Sequence, residues 1–160
     1  MNIRELLQFK SWAENIYLDY ITKLSEDQFT ERIPTIDKSI KQIIFHLLDS
    51  MWGDYHLITD RDWSEPYQID DMSKMAIIKE IKKFNTQLLT FAERQQLDEP
   101  ITYHEEGYEN DITTTAEQVL CNFVEHSAYH RGQLALCLKY FGHNQIKQTN
   151  YNPYLWQRQQ

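Results

Sequence analysis

His126-Ser127-Ala128-Tyr129-His130-Arg131-Gly132-Gln133 lies within a long run of helical periodicity, and its two histidines decide how the chain reads. Positions i and i+4 stack on one face of a helix, roughly 5–6 Å apart, so both imidazoles can lean toward one point. A divalent metal is well served by such a pair. The apolar stripe of this segment runs Val119, Phe123, Leu134, Cys137, Phe141. Steps of three and four join these residues only if His126 and His130 share the stripe. Both rings are therefore expected to point into the core, where an imidazole needs a partner.

Working outward, the same periodicity predicts four long helices and an all-α chain. The first runs from about Ile3 to Leu24, with Leu6, Phe9 or Lys10, Ala13, Ile16 or Tyr17, Tyr20 and Leu24 on one side, and stops near Ser25-Glu26-Asp27. The second starts near Asp37 or Ser39. Ser39 and Gln42 form a capping-box pattern, and Ile40, Ile43, Ile44, Leu47, Met51 and Tyr55 follow. The third begins after Asp70-Asp71 and carries Met75, Ile78, Ile81, Phe84 or Asn85, Leu88 and Phe91 to about Leu97. The fourth begins at Thr114, with Glu117 as a second capping box, and ends at Gly142, a natural residue just past a helix end. Connectors 25–38 and 59–71 are long for tight helix hairpins and suit crossings over an end of a bundle. Segment 98–113 reads as a short hairpin or a polar loop. The tail after His143 reads as an extended segment packed on the bundle, with a fraying end from Gln157 to Gln160.

A length of 160 residues fits one domain, residues 1–160, with a core that needs no staples. A net charge of −8 argues against a general nucleic-acid binder, which needs a basic face. No run approaches the about 18 apolar residues of a membrane span, and the N-terminus lacks the apolar region of a signal peptide. Two cysteines without a CxxC pattern fit a reducing cytoplasm.

Two histidines rarely suffice for a metal, and His46, in Ile43-Ile44-Phe45-His46-Leu47-Leu48-Asp49, is the best third ligand. Three neutral imidazoles leave positions open for water or substrate. Taken alone, His46 reads more simply as a structural core histidine; the pair His126 and His130 favours the metal. The HExxH reading fails, because Ser127 stands where the general base would be, and Glu125 turns about 100° away from His126. Asp49 could accept from an imidazole N–H or act as a fourth ligand, against the plainer reading of a solvated helix acid. Gln133 could reach the rim of the site, Arg131 points elsewhere and could hold an acid or a helix end, and Gly132 is expected to permit close helix packing. Cys121 and Cys137 lie about 7.5 and 10.5 Å along the axis from the nearer histidine, too far to ligate, and read as core or near-core thiols. His56, His104 and His143 look like ordinary polar residues. Trp52, Tyr55 and Trp63 could line a pocket, though core packing is the simpler account.

With Trp12-Ala13-Glu14-Asn15 in the first helix, the segment around His46 in the second and the segment around His126 and His130 in the fourth, the chain resembles the DinB/YfiT superfamily over nearly its whole length. The resemblance implies a four-helix bundle with long crossover connections and a site of three histidines, which match His46, His126 and His130. It also implies a divalent ion, zinc or nickel foremost, and a homodimer. Some relatives are transferases or isomerases that use low-molecular-weight thiols. The expected function is thus metal-dependent thiol S-transfer onto small electrophiles in stress or detoxification. The alternatives are a metal-dependent hydrolase of a small substrate and a non-catalytic metal-binding stress protein. No residue is assigned a catalytic role beyond the ligands.

Overall fold

Asn2 opens the first helix: its side-chain oxygen accepts from the Glu5 backbone N–H at 2.9 Å, satisfying a donor that the helix itself leaves unpaired. The computed structural model describes residues 2–59, 68, 70, 72–93, 96–105 and 107–160. In chain order the elements are α1 (Ile3–Ile21), α2 (Glu26–Thr30), α3 (Ile40–Thr59), α4 (Lys74–Phe91), β1 (Pro100–Tyr103), β2 (Ile112–Thr115), α5 (Ala116–Tyr140) and α6 (Tyr151–Arg158). The four long helices α1, α3, α4 and α5 form the bundle. Both α1 and α3 pack against α4 and α5, so α1 and α3 sit diagonally across it. A connection between diagonal helices must cross an end, which is why 25–38 is long; it carries the short α2 and a bridge between Ile33 and Lys38. Most of connector 59–71, including Trp63 and Asp71, lies outside the described residues; the helices it joins, α3 and α4, pack side by side, so the expected crossing of the bundle end is not required there. Among the described residues, no helix is long and apolar enough to cross a membrane.

The core runs the length of the bundle, from Leu7, Leu18 and Ile21 through Ile43, Ile44, Leu47 and Met51 to Ile77, Ile81, Leu120, Phe123 and Leu138. The Ser39–Gln42 capping box is made as the sequence indicates, with side-chain contacts of 2.9 and 3.2 Å. Gly142 ends α5 with a φ of +89°, a conformation costly for any residue with a Cβ.

Four local expectations are corrected. The box of α5 is Thr115 with Gln118, one residue later than Thr114 with Glu117, because Thr115 is also the last residue of β2 and holds the extended backbone that a cap requires. Met75 is 56 % exposed: Ser73 caps α4 and sets its phase so that Lys74, Ile77, Ile78 and Ile81 face inward. The Lys74 ammonium donates to the Leu24 carbonyl at 2.5 Å and pairs with Glu26. α4 ends at Phe91 rather than Leu97; Leu97 instead packs on the core from outside the helix, and its carbonyl accepts from the Glu117 N–H at 3.0 Å. The tail is not wholly extended, since Tyr151–Arg158 is helical and Tyr154 is buried beside Phe9 and Trp12.

Residues 98–113 resolve into the hairpin reading. β1 and β2 pair antiparallel, Ile101 opposite Thr114 and Tyr103 opposite Ile112. The threonine run 113–115 suits a pleated strand, and Thr102 and Thr113 join hydroxyls across it at 3.0 Å.

Candidate metal centre

Three imidazoles meet where α3 and α5 face each other. His46 comes from α3, His126 and His130 from successive turns of α5, and one nitrogen from each lies within 4.8 Å of the others. The ring centroids are 4.5 Å apart for His126–His130, 4.9 Å for His46–His130 and 5.2 Å for His46–His126. The Nε2 atoms of His126 and His130 approach to 2.9 Å. Two imidazole lone pairs repel at that distance unless a proton or a cation lies between them.

The three rings differ in depth: His130 is buried, His126 half-buried and His46 exposed. The expectation that His126 and His130 both point into the core is met by His130 alone. His126 lies at the edge, since one step of four residues turns the helix by more than a full circle and moves the second ring around the face. The cluster is thus seated on the bundle at one side and open at the other. Burial pushes the His126 pKa down to about 4, helped by its two imidazole neighbours, and burial pushes His130 down as well. Both rings are neutral at pH 7, the form a metal requires.

Gln133, one turn beyond His130, sets its tautomer. Its carbonyl oxygen accepts from His130 Nδ1 at 2.9 Å, which leaves the Nε2 lone pair facing the cluster, and its amide nitrogen donates to the Tyr129 hydroxyl at 3.0 Å. Orienting contacts of this kind typify histidines that hold metals. Asp49 stands outside the cluster and lines an adjoining cleft. By ligand type and convergence, the residues present fit a divalent ion.

Ser127 and Arg131, between and beyond the two α5 histidines, serve a different purpose. Ser127 is fully buried and its hydroxyl donates to Glu14 at 2.5 Å while accepting from Arg131 at 2.8 Å. Glu14 also accepts from the Lys10 ammonium at 3.0 Å and the Asn85 amide at 2.7 Å, and Lys10 donates to Asn85 at 2.6 Å. This network pins α1 and α4 to the segment of α5 that carries the histidines and so fixes how that helix is rotated. Lys10 lies 3.8 Å from the centroid of the Phe123 ring, and burial lowers its pKa to about 8 against the pull of Glu14. The sequence offered Arg131 an acid to hold, which it reaches through Ser127. Sequence reading missed the buried network of Lys10, Glu14 and Asn85, although Lys10 and Glu14 fall four residues apart on the apolar stripe of α1, which is the signature of such a pair.

Three further readings are settled by burial. Gly132 is exposed, and a Cβ there would meet no atom within 4 Å, so it serves no close packing. Cys121 is exposed rather than near the core, whereas Cys137 is buried, which pushes its thiol pKa up to about 11. Both lie outside the histidine cluster. His104 bonds Asp111, and His143 packs edge-on against Tyr20.

A cleft of about 590 Å³ opens beside the cluster and has His126 in its wall, with Asp49, Trp52, Asp54, Tyr103 and Glu105 among its other residues. Trp52 lines it as the sequence allowed. Ser50 bonds the His46 carbonyl and lies 3.5 Å from His126 Nε2. Burial pushes the Asp54 pKa from 3.8 up to about 7, against the pull of Lys10 and with a push from Glu105. Asp54 therefore binds its proton more tightly in the folded than in the unfolded protein. Its stabilising contribution is complete below pH 3.8 and is lost as pH rises to about 7. Asp54→Asn stays neutral, so the variant is expected to melt several degrees above the wild type at about pH 8 and near it at about pH 4, which thermal melts across that range will check.

The DinB family model matches residues 1–160. The chain belongs to the DinB family. One DinB relative, protein DinB of Bacillus subtilis (strain 168), is 22% identical over 161 residues, covering 95% of this chain and 92% of that protein. The fold is also similar to two solved DinB-like structures. One, from Bacillus subtilis, has a TM-score of 0.66 at 16% identity and covers 91% of this chain and 97% of its own. The other, from Exiguobacterium sibiricum, has a TM-score of 0.65 at 13% identity and covers 94% and 99%. At these identities the likeness speaks to the DinB fold, and the chemistry must be read from the histidines and the cleft.

Proposed function

We propose that this DinB-family protein holds a divalent ion, zinc or nickel foremost, on His46, His126 and His130 and uses it for thiol S-transfer onto a small electrophile. The observation that carries the reading is the all-imidazole cluster, open on one side and continuous with a cleft through His126. A divalent ion there would supply a Lewis acid that lets a thiol lose its proton near neutral pH. The chain's own residues do the remaining work. Gln133 keeps the His130 lone pair turned to the cluster, the Glu14 network holds the rotation of α5, and the cleft admits the electrophile. Sulfur forms the new bond as the leaving group departs, and the thiol proton passes to solvent.

A panel of small thiols and electrophiles assayed with metal-loaded protein tests this. Turnover that requires both thiol and metal is expected, and none across the panel with metal verified as bound removes the transferase reading. Asp54 favours one alternative, since a carboxyl with a pKa about 7 on the cleft wall can move a proton. Turnover without thiol would select that hydrolase reading. Gln133→Ala is expected to weaken metal affinity by about 10–100-fold, the usual cost of losing an orienting contact, in a competition titration with a chromophoric chelator.

The proposal includes a homodimer. Tyr129, Leu136 and Tyr140 are exposed along one face of α5 and offer apolar area to a second copy. Sedimentation equilibrium that returns the monomer mass of 19.3 kDa would remove that element.

A further inference from the structure

The cleft that ends at His126 has a uniform electrostatic character. Asp49 and Asp54 enter its wall from α3, and Glu105 from the loop that follows β1; among the described residues lining it, none is Lys or Arg. Trp52 and Tyr103 add aromatic surface to the same wall. The negative potential registers on Tyr103, whose hydroxyl pKa is raised by burial and then by Glu105 and Asp54. Asp54 registers it as well: burial and Glu105 oppose its charge more strongly than Lys10 supports it. An ionised Asp54 thus works against the fold, and a carboxyl in that condition on a cleft wall marks a functional position.

The three acids do not converge as ligands of an ion would. Among the described residues, only the three histidines bring metal-ligating atoms to one point. Charge spread along an aromatic wall suits an organic cation, whose ammonium takes the carboxylates while its apolar body and charge both find favourable contact with the rings. A volume of about 590 Å³ holds a small molecule.

We propose that this cleft binds a small cationic organic molecule, its ammonium group held by Asp54 within the negative field to which Asp49 and Glu105 contribute and its apolar body lying against Trp52 and Tyr103. This names the substrate class for the reaction proposed above and rests on that reading only for the role of His126, which receives the reacting end. Recognition of the ammonium requires no metal.

The test compares phenethylamine with phenylacetate, similar in size and opposite in charge, by calorimetric titration of the full chain as purified and again after chelation. Phenethylamine is expected to bind at least about tenfold tighter in both states, with most of that preference lost in Asp54→Asn and in Glu105→Gln. Glu105 lies in an exposed loop, so its variant keeps the fold and tests the recognition without altering the buried surroundings of Asp54. No measurable binding of the amine, equal binding of the two, or a preference that survives both substitutions would overturn the proposal. Failure of the metal reading shows separately, as loss of metal binding with the amine preference intact after chelation.

Discussion

Glu14→Ala is expected to lower the stability of the fold by about 3–5 kcal/mol, the usual cost of removing one partner from a buried ion pair. Glu14 is 2% exposed, and four donor groups depend on it directly or through one atom: Lys10, Asn85, Ser127 and, through Ser127, Arg131. Without it, Lys10 and Arg131 are left in the core with no carboxylate hydrogen-bonded to them, directly or through Ser127. Domains of this size are stable by only about 5–15 kcal/mol, so the loss approaches the whole margin. Urea unfolding followed by circular dichroism will measure it, as a fall in midpoint at constant slope. Glu14→Gln preserves size and some hydrogen bonding and is expected to fall between the two. A change below about 1 kcal/mol in Glu14→Ala would mean that water or a rearranged side chain replaces the carboxylate and that the network does not set the packing.

The same residues show how much the sequence could reveal. Helices announce themselves by the period of their apolar residues, and here that period located all four long helices and most of the inward face of each, Met75 and His126 excepted. It could not place the ends, because ends depend on caps and on contacts made elsewhere in the chain. Thr114 and Thr115 are equivalent by composition, and only the hairpin register selects Thr115 as cap. Leu97 continues the α4 pattern yet belongs to a connector, since its carbonyl serves the first turn of α5.

The candidate site was legible to the extent that its spacing is local. His126 and His130 are bound to neighbour one another on any helix, whereas their meeting with His46 depends on α3 lying beside α5. Burial was less accessible. A stripe argument places both α5 histidines inward, but the helix turns His126 toward the cleft. Lys10 and Glu14 were obscured because hydropathy ranks them as surface residues; only their mutual neutralisation lets them occupy the core. The cleft was hardest, since Asp54, Tyr103 and Glu105 come from separate elements and no short motif unites them.

His126→Ala and His130→Ala are each expected to weaken the proposed metal binding by more than about 100-fold, since removing a ligand costs more than disturbing a residue that orients one. His130 is the more sensitive position: it is buried, its tautomer is fixed by Gln133, and its Nε2 faces that of His126. His46 is exposed, so water can take its place, and His46→Ala is expected to retain more affinity. Binding to the folded chain alone also raises stability, by about 2.7 kcal/mol at a hundredfold excess of ligand over Kd. The wild type should therefore melt higher with metal and the two α5 variants should not. Either variant with an unaltered melting response would place the ion elsewhere.

Elemental analysis of the protein as purified, beside His126→Ala prepared identically, reaches the central claim most directly. The three-histidine site predicts close to one divalent ion per chain in the wild type and a small fraction of that in the variant. Equal metal content in the two proteins would contradict it.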